Sequence, residues 1–407
     1  MGLNDTPRGE RIHIAIFGKR NAGKSSIVNA ITNQNIAIVS KVKGTTTDPV
    51  YKAMELLPLG PVMLIDTPGL DDNSELGSER IKKTIQVLQK TDIAIIVIDI
   101  MSGFSKFEQN LLGEINNKKL PCIIVLNKID MYTKDVDKLR NELKELTKCQ
   151  VISVSAQKQT RIHELKETIA RLVPKEEERY PIVRDLIHRG DVVVLVVPID
   201  SSAPKARLIL PQQQTIRDIL DGGGISMVAR EKELKQTLDS LDRKPKLVIT
   251  DSKVFDHVSK IVPQDIMLTS FSILFSRHKG DLEEQVAGIK TIENLKDGDK
   301  ILIAEGCTHH RQCDDIGTIK LPKWLLEFTK QELVFEFTSG TQFPKNLKEY
   351  ALIVHCGACT LNKKEMEHRM KNSKKQNIPI VNYGILIAYM KGILERSLKP
   401  FPNMSNF

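Results

Sequence analysis

The sequence predicts an α/β protein of three units in a row, the first of them a parallel sheet flanked by helices. Three observations lead there. Short β-branched runs alternate with helical stretches from Arg11 to Val173, and the alternation restarts after Pro181 and again near Gln264. A charged, proline-bounded stretch, Pro174-Lys175-Glu176-Glu177-Glu178-Arg179-Tyr180-Pro181, interrupts it with nothing to bury. At 407 residues the chain exceeds what one core serves. The expected units are residues 9–173, a linker at 174–181, then 182–263 and 264–407.

In the first unit the runs Ile12 to Phe17, Val62 to Ile65, Ile93 to Ile98, Cys122 to Leu126 and Gln150 to Val154 read as strands. Their separation by helical stretches implies parallel pairing with helices on the faces. The middle unit repeats this on a smaller scale, with strands expected at Val192 to Val197, Ile225 to Ala229 and Lys246 to Ile249. In the last unit the candidates are Lys300 to Ala304, Leu333 to Phe337, Leu352 to His355 and Ile378 to Val381.

Composition narrows the class. Apolar and charged fractions of 41% and 27% are those of a soluble globular protein. No apolar run approaches the roughly 18 residues that span a bilayer, so no membrane is expected. Met1-Gly2-Leu3-Asn4-Asp5-Thr6 fits a loose myristoylation pattern but lacks a polybasic stretch, and reads as an ordinary chain start. Six cysteines are too few for a disulfide scaffold, and no signal peptide is read, so a cytoplasmic location is expected. The net charge of +9 reads as a solvated basic face, and the basic run Lys363 to Lys375 as the outer side of a helix.

Gly18-Lys19-Arg20-Asn21-Ala22-Gly23-Lys24-Ser25 matches the phosphate-binding loop and lies between a strand and a helical stretch, where that loop must lie. Its glycines let backbone N–H groups close around phosphate oxygens; Lys24 reaches the β and γ phosphates and Ser25, followed by Ser26, binds magnesium. Gly18, Asn21, Ala22 and Gly23 complete the cradle. Asp66-Thr67-Pro68-Gly69 follows a strand, so Asp66 faces the metal and the Gly69 amide can meet the γ-phosphate. Asn127-Lys128-Ile129-Asp130 follows another, and a carboxylate there pairs with the two adjacent guanine donors that adenine lacks. Ser155-Ala156 is placed to offer a backbone amide to the guanine oxygen. The cofactors expected are therefore GTP or GDP with Mg2+.

These motifs, each at the carboxyl end of a strand, resemble the translation-factor class of P-loop GTPases over about 160 residues. Gly44-Thr45-Thr46-Thr47-Asp48 resembles switch I of the TrmE and Era group, which implies Thr46 as a second magnesium ligand; that group often has Arg where this chain has Thr47. Leu70 stands where Ras-like proteins place a water-orienting glutamine, so hydrolysis should be slow. Asn21 matches the asparagine of potassium-stimulated members, which implies K+ beside the phosphates.

Cys307-Thr308-His309-His310 and His355-Cys356-Gly357-Ala358-Cys359 each follow a candidate strand of the last unit. If those strands are parallel, both groups leave the same sheet edge and can converge on a metal. From residue types alone, a structural zinc and an iron–sulfur cluster stand open. Cys122 and Cys149 read as small core hydrophobes.

A GTPase unit in front and Cys-x-His with His-Cys-x-x-Cys behind resemble the HydF family of FeFe-hydrogenase maturation GTPases over the whole chain. The resemblance implies a small α/β dimerisation domain in the middle, hence a homodimer or higher oligomer, and an α/β metal-cluster domain at the end. It implies a 4Fe-4S cluster on Cys307, Cys356 and Cys359, with His309, His355, a carboxylate or water in an exchangeable fourth position. It further implies a scaffold or carrier for the di-iron subcluster, working with two radical-SAM maturases and delivering to the apo FeFe-hydrogenase. His310 and Cys313 read as bystanders. Two other readings compete: a TrmE/Era-like GTPase acting on RNA, against which stands the lack of any recognisable RNA-binding module, and a zinc-stabilised GTP-dependent switch.

Overall fold

Uninterrupted apolar strands set the architecture of the computed structural model, which describes residues 6, 8–32, 49–57, 59–69, 83–172, 180–199, 208–306, 316–340 and 342–404. The switch I stretch from Gly44 to Asp48, Leu70, most of the charged linker, Cys307, His309, His310 and Cys313 lie outside the described residues. The chain divides into two compact units, 1–177 and 178–407.

In the first unit, β1 (Ile12–Phe17), β2 (Val50–Leu56), β3 (Gly60–Asp66), β4 (Ile93–Asp99), β5 (Cys122–Asn127) and β6 (Gln150–Ser153) form one sheet in the order β2-β3-β1-β4-β5-β6. All neighbours run parallel except β2, which is antiparallel to β3 with Val50 opposite Asp66. Strand side chains alternate between faces. Ile14, Ile16, Ile95 and Val125 therefore enter one core, while Ala15, Phe17, Ile96 and Ile124 enter the other. Each such isoleucine, valine or phenylalanine, fully removed from water, contributes roughly 1.5–3 kcal/mol. Helix α1 (Lys24–Thr32) covers the first face, and α2 (Lys106–Asn117), opened by a Ser105–Glu108 capping box, covers the second.

The second unit holds two four-stranded sheets. One, ordered β10-β9-β7-β8, comprises β7 (Val192–Val196), β8 (Ile225–Ala229), β9 (Leu247–Thr250) and β10 (Met267–Ser270). The other, ordered β12-β11-β13-β14, comprises β11 (Lys300–Glu305), β12 (Val334–Ser339), β13 (Leu352–His355) and β14 (Ile380–Asn382). Every pairing in both is parallel. The boundary expected between 263 and 264 must move, because β10 beyond it completes the first of these sheets. One apolar core runs from Val193 and Ile249 through Phe275 to Ile303 and Val354. Helix α3 (Phe271–Lys279), which leaves β10 directly, has buried residues on nearly every side, as an element enclosed by others must.

Burial also leaves a titratable mark on the first unit. His13, on β1, is 3% exposed, and its Nδ1 lies 2.8 Å from the Arg11 carbonyl. Desolvation pushes its imidazole from 6.5 down to about 4 despite that bond. Between those values the unfolded chain binds a proton that the folded chain refuses, so the folded state loses stability as pH falls through the window, by up to about 3 kcal/mol from this residue. A His13→Leu protein should lose correspondingly less between about pH 7 and pH 4.5 than the parent. Urea unfolding read through amide exchange of β1 checks this, and equal losses in both proteins would remove His13 as a source of acid sensitivity.

Candidate functional site

The carboxyl ends of β1, β3, β5 and β6 bring the predicted nucleotide residues together. Gly18 and Gly23 take φ values of +150° and +94°, and Asn21, at +59°, is left-handed as well. A Cβ on Gly23 would come within 2.2 Å of the Asn127 Nδ2, so only glycine passes there. Lys24 Nζ donates to the carbonyls of Gly18 (3.0 Å) and Lys19 (2.8 Å), folding back along the loop. Gly69 packs so closely on Arg20 that a Cβ would lie 2.8 Å from the Arg20 Cα, which joins the Asp66–Gly69 turn to the phosphate loop.

Ser25 Oγ donates to Asp66 Oδ2 at 2.6 Å, while Asp66 Oδ1 is buried without a hydrogen-bond partner. Burial pushes the Asp66 carboxyl above its ordinary value, against the Ser25 bond and the Lys24 charge. An orphaned carboxylate oxygen beside a hydroxyl is the donor set a magnesium ion takes up, so the residues present fit the ion. Ser26 sits one residue further along α1.

On the guanine side, Asn127 is a bridge. Its Nδ2 donates to the Ala22 carbonyl at 3.1 Å and its Oδ1 accepts from the Ala156 amide at 3.1 Å. The Ala156 amide expected to face the base is thus engaged by Asn127 in this structure. Lys128, left-handed at φ +69°, extends its ammonium to Asp99 Oδ2 at 2.6 Å. Asp130 is half-buried, and the Ser155 hydroxyl, the largest influence, holds its carboxyl below the ordinary value. The Lys158 amide in turn donates to Ser155 Oγ at 3.1 Å. Asp99 had no motif to reveal it; its position at the end of a buried strand was the available signal.

In the second unit, β11 and β13 lie side by side with Ala304 opposite His355, so the residues that follow both strands emerge together. The Gly306 amide donates to Cys356 Sγ at 3.0 Å, the Ala358 amide reaches the same sulfur at 3.4 Å, and Thr360 Oγ1 donates to the Gly306 carbonyl at 2.7 Å. Cys307 is the next residue along the chain from Gly306. Ala358 takes a φ of +52°, turning the backbone between the two cysteines. Lys279, 2% exposed at the end of α3, donates from Nζ to the carbonyls of Cys359 (3.1 Å), Leu361 (3.0 Å) and Ala358 (3.4 Å). Burial, the largest effect, pushes the Cys356 thiol up to about 11 and raises that of Cys359, while the Lys279 charge pulls Cys359 down. Amides aimed at sulfur and an ammonium nearby suit thiolates that a bound cation would hold deprotonated. Among the described residues no group of three or more His, Cys, Asp or Glu converges.

His355, expected among the metal ligands, is otherwise employed. It is fully buried, its Nδ1 lies 2.8 Å from the Cys356 carbonyl and its Nε2 lies 3.0 Å from Arg369 Nη1. A carbonyl only accepts and a guanidinium only donates, so Nδ1 carries the proton and Nε2 the lone pair. Both nitrogens are committed, and burial with the Arg369 charge pushes the imidazole down to about 3. Arg369 is completed by Glu365 Oε1 at 3.3 Å and the Gly340 carbonyl at 2.7 Å. Neither Arg369 nor Lys279 was legible as part of this site, since each is a basic residue on a helix with no motif around it.

Family comparisons match three segments of the chain. Residues 182–280 match the hydrogen maturase F dimerization domain, 283–400 the hydrogen maturase F tetramerization domain, and 13–128 a family described as 50S ribosome-binding GTPase. The chain belongs to the hydrogen maturase F family. Its front segment is a GTPase domain for GTP or GDP with Mg2+, and the two hydrogen maturase F domains support a homo-oligomer. The GTPase Der of Mycoplasmopsis pulmonis is 34% identical over 183 residues, which are 42% of this chain and 42% of that protein. The tRNA modification GTPase MnmE of Desulforamulus reducens is 32% identical over 166 residues, 40% of this chain and 35% of its own. The chain thus spans less than half the length of these curated relatives. Among solved structures, an Era variant from Aquifex aeolicus bound to GDP.AlF4- covers 54% of this chain and 92% of its own at 22% identity and a TM-score of 0.38, too distant to carry an argument. No helix among the described residues is long and apolar enough to cross a membrane.

Asn127 holds the hydrogen maturase F nucleotide site at two points, so Asn127→Ala would leave the Ala22 carbonyl and the Ala156 amide without their partner. Each orphaned group costs about 1–3 kcal/mol, shared between folding and binding because both bonds form without nucleotide, and about 1.4–2.8 kcal/mol of it falling on binding predicts roughly 10- to 100-fold weaker GDP binding. Calorimetric titration checks this; parental affinity in a folded variant would show that the bridge does not support the site.

Proposed function

We propose that this chain is a GTPase scaffold for maturation of an FeFe-hydrogenase, one that carries a 4Fe-4S cluster and hands a di-iron subcluster to the apo-enzyme. The observation that carries the cluster half of this reading is the Gly306 amide 3.0 Å from Cys356 Sγ. It sets the residue before Cys307 against the sulfur of Cys356, and Cys359 follows on the same turn. Cys307, Cys356 and Cys359 would then hold three irons and leave one with a replaceable ligand, the position at which another metal fragment attaches. The Gly306 and Ala358 amides stabilise sulfur charge, and Lys279 keeps the turn closed. His309, a carboxylate or water remains for the fourth position, His355 being committed to Arg369 and Cys356. Two radical-SAM maturases and the apo-hydrogenase are the proposed partners, in the cytoplasm.

For the nucleotide half, Ser25, Asp66 and Thr46 would hold magnesium, Lys24 and the Gly69 amide would meet the γ-phosphate, and Asp130 would read guanine. The left-handed Asn21 is proposed to help hold K+ beside the phosphates, where the cation would do the job of an arginine finger in a site whose Leu70 cannot orient water.

Two measurements test the proposal. GTP turnover by the full chain should rise when potassium replaces sodium at equal ionic strength, and equal rates would remove the role given to Asn21. Under anaerobic reconstitution with iron and sulfide, Cys356→Ala should lose the cluster, while His355→Gln should retain parental iron and a less stable second unit. Full iron in the Cys356→Ala protein would sink the three-thiolate assignment, and iron loss in a folded His355→Gln protein would return that histidine to the ligand set.

A further inference from the structure

The GTPase unit contains two cysteines that nucleotide chemistry does not use. Cys122 opens β5 and Cys149 immediately precedes β6. The two strands are parallel neighbours with Ile123 opposite Gln150, so one step back along each places Cys122 beside Cys149. Neighbouring strands lie about 4.8 Å apart, within the roughly 4.4–6.8 Å between Cα atoms that a disulfide spans. Both side chains join the same core, Cys122 buried and Cys149 partly exposed at its rim, and the two thiols lie close enough to shift each other's titration. Cys149 Sγ also lies 3.5 Å from the Thr147 carbonyl. Burial alone would make these the inert core residues that the sequence suggests. Two thiols set side by side by the strand register, one of them reachable from solvent, are a different chemical object.

We propose that Cys122 and Cys149 form a reversible modification site, a thiol pair that closes to a disulfide by exchange with a small-molecule disulfide. The Cys149 thiolate attacks one sulfur of the reagent, forming a mixed disulfide and expelling one small thiolate. Cys122 then gives up its proton and attacks Cys149 Sγ, expelling the second. The reagent gains two electrons and two protons as two thiols, and the protein loses the same in one S–S bond. The order follows from the pair's own asymmetry. The Cys122 hydrogen bond draws the Cys149 thiol below the ordinary thiol range, while that bond and burial push Cys122 up. The far end of β5 is Asn127, and β6 leads to Ser155 and Ala156, so the bond would tie together the two strands that carry the guanine-side groups.

Oxidised glutathione added anaerobically to the full chain, with non-reducing peptide mapping by mass spectrometry, tests the proposal. The parent protein should accumulate a cross-linked peptide pair containing Cys122 and Cys149, which dithiothreitol reverses. Cys122→Ser should stop at a glutathione adduct on Cys149, and Cys149→Ser should leave Cys122 unmodified over the same time, with GDP binding retained in both. A glutathione adduct that persists on Cys149 of the parent, or both thiols unmodified while other cysteines react, would overturn it.

Discussion

A buried ammonium has to be answered by polar atoms, and in the second unit that requirement at Lys279 organises the cysteine turn. Leaving such a charge unpaired in an apolar interior is far costlier than any single packing contact. Lys279 meets it with the carbonyls of Ala358, Cys359 and Leu361, so the turn must present those oxygens inward. With the carbonyls so directed, the left-handed Ala358 turns its own amide toward Cys356 Sγ. Because α3 issues directly from β10, the sheet of the dimerization segment and the cysteine turn of the next segment are joined through one short helix. The segment matched by the dimerization domain and the cysteine turn therefore share a core in this unit.

The guanine side of the GTPase unit obeys the same logic with a neutral amide. Asn127 offers one donor and one acceptor in a buried place, and each finds a backbone group from a different loop. The Ser25 and Asp66 pair is answered only in part. One carboxylate oxygen is satisfied and the other is not, which is how a metal site looks when its remaining partner is an ion.

Much of this was legible in sequence, for physical reasons that particular residues show. The central strands were readable because burial on both faces requires continuous apolar runs such as Ile93 to Ile98. Strand β2 was missed, since an edge strand with mixed exposure shows no such run. Strand β10 was missed because four residues flowing straight into a helix carry too little pattern, and the domain boundary was misplaced with it. The motifs located the phosphate loop, Asp66, Asn127 and the Cys356 turn, since their chemistry is local in sequence. The commitment of His355 to Arg369, and of Lys279 to the turn, depends on contacts distant in sequence that no local spacing records. A histidine beside Cys-x-x-Cys invites a ligand reading that only its surroundings can refuse.

The cysteine turn directs two backbone amides at Cys356 Sγ beside the end of β11, and the content of that site is the most direct question to put to the protein. Metal and sulfide analysis of the full chain, purified and reconstituted anaerobically, answers it. A three-thiolate cluster predicts about four iron and four sulfide per chain. One zinc per chain with no acid-labile sulfide would contradict it.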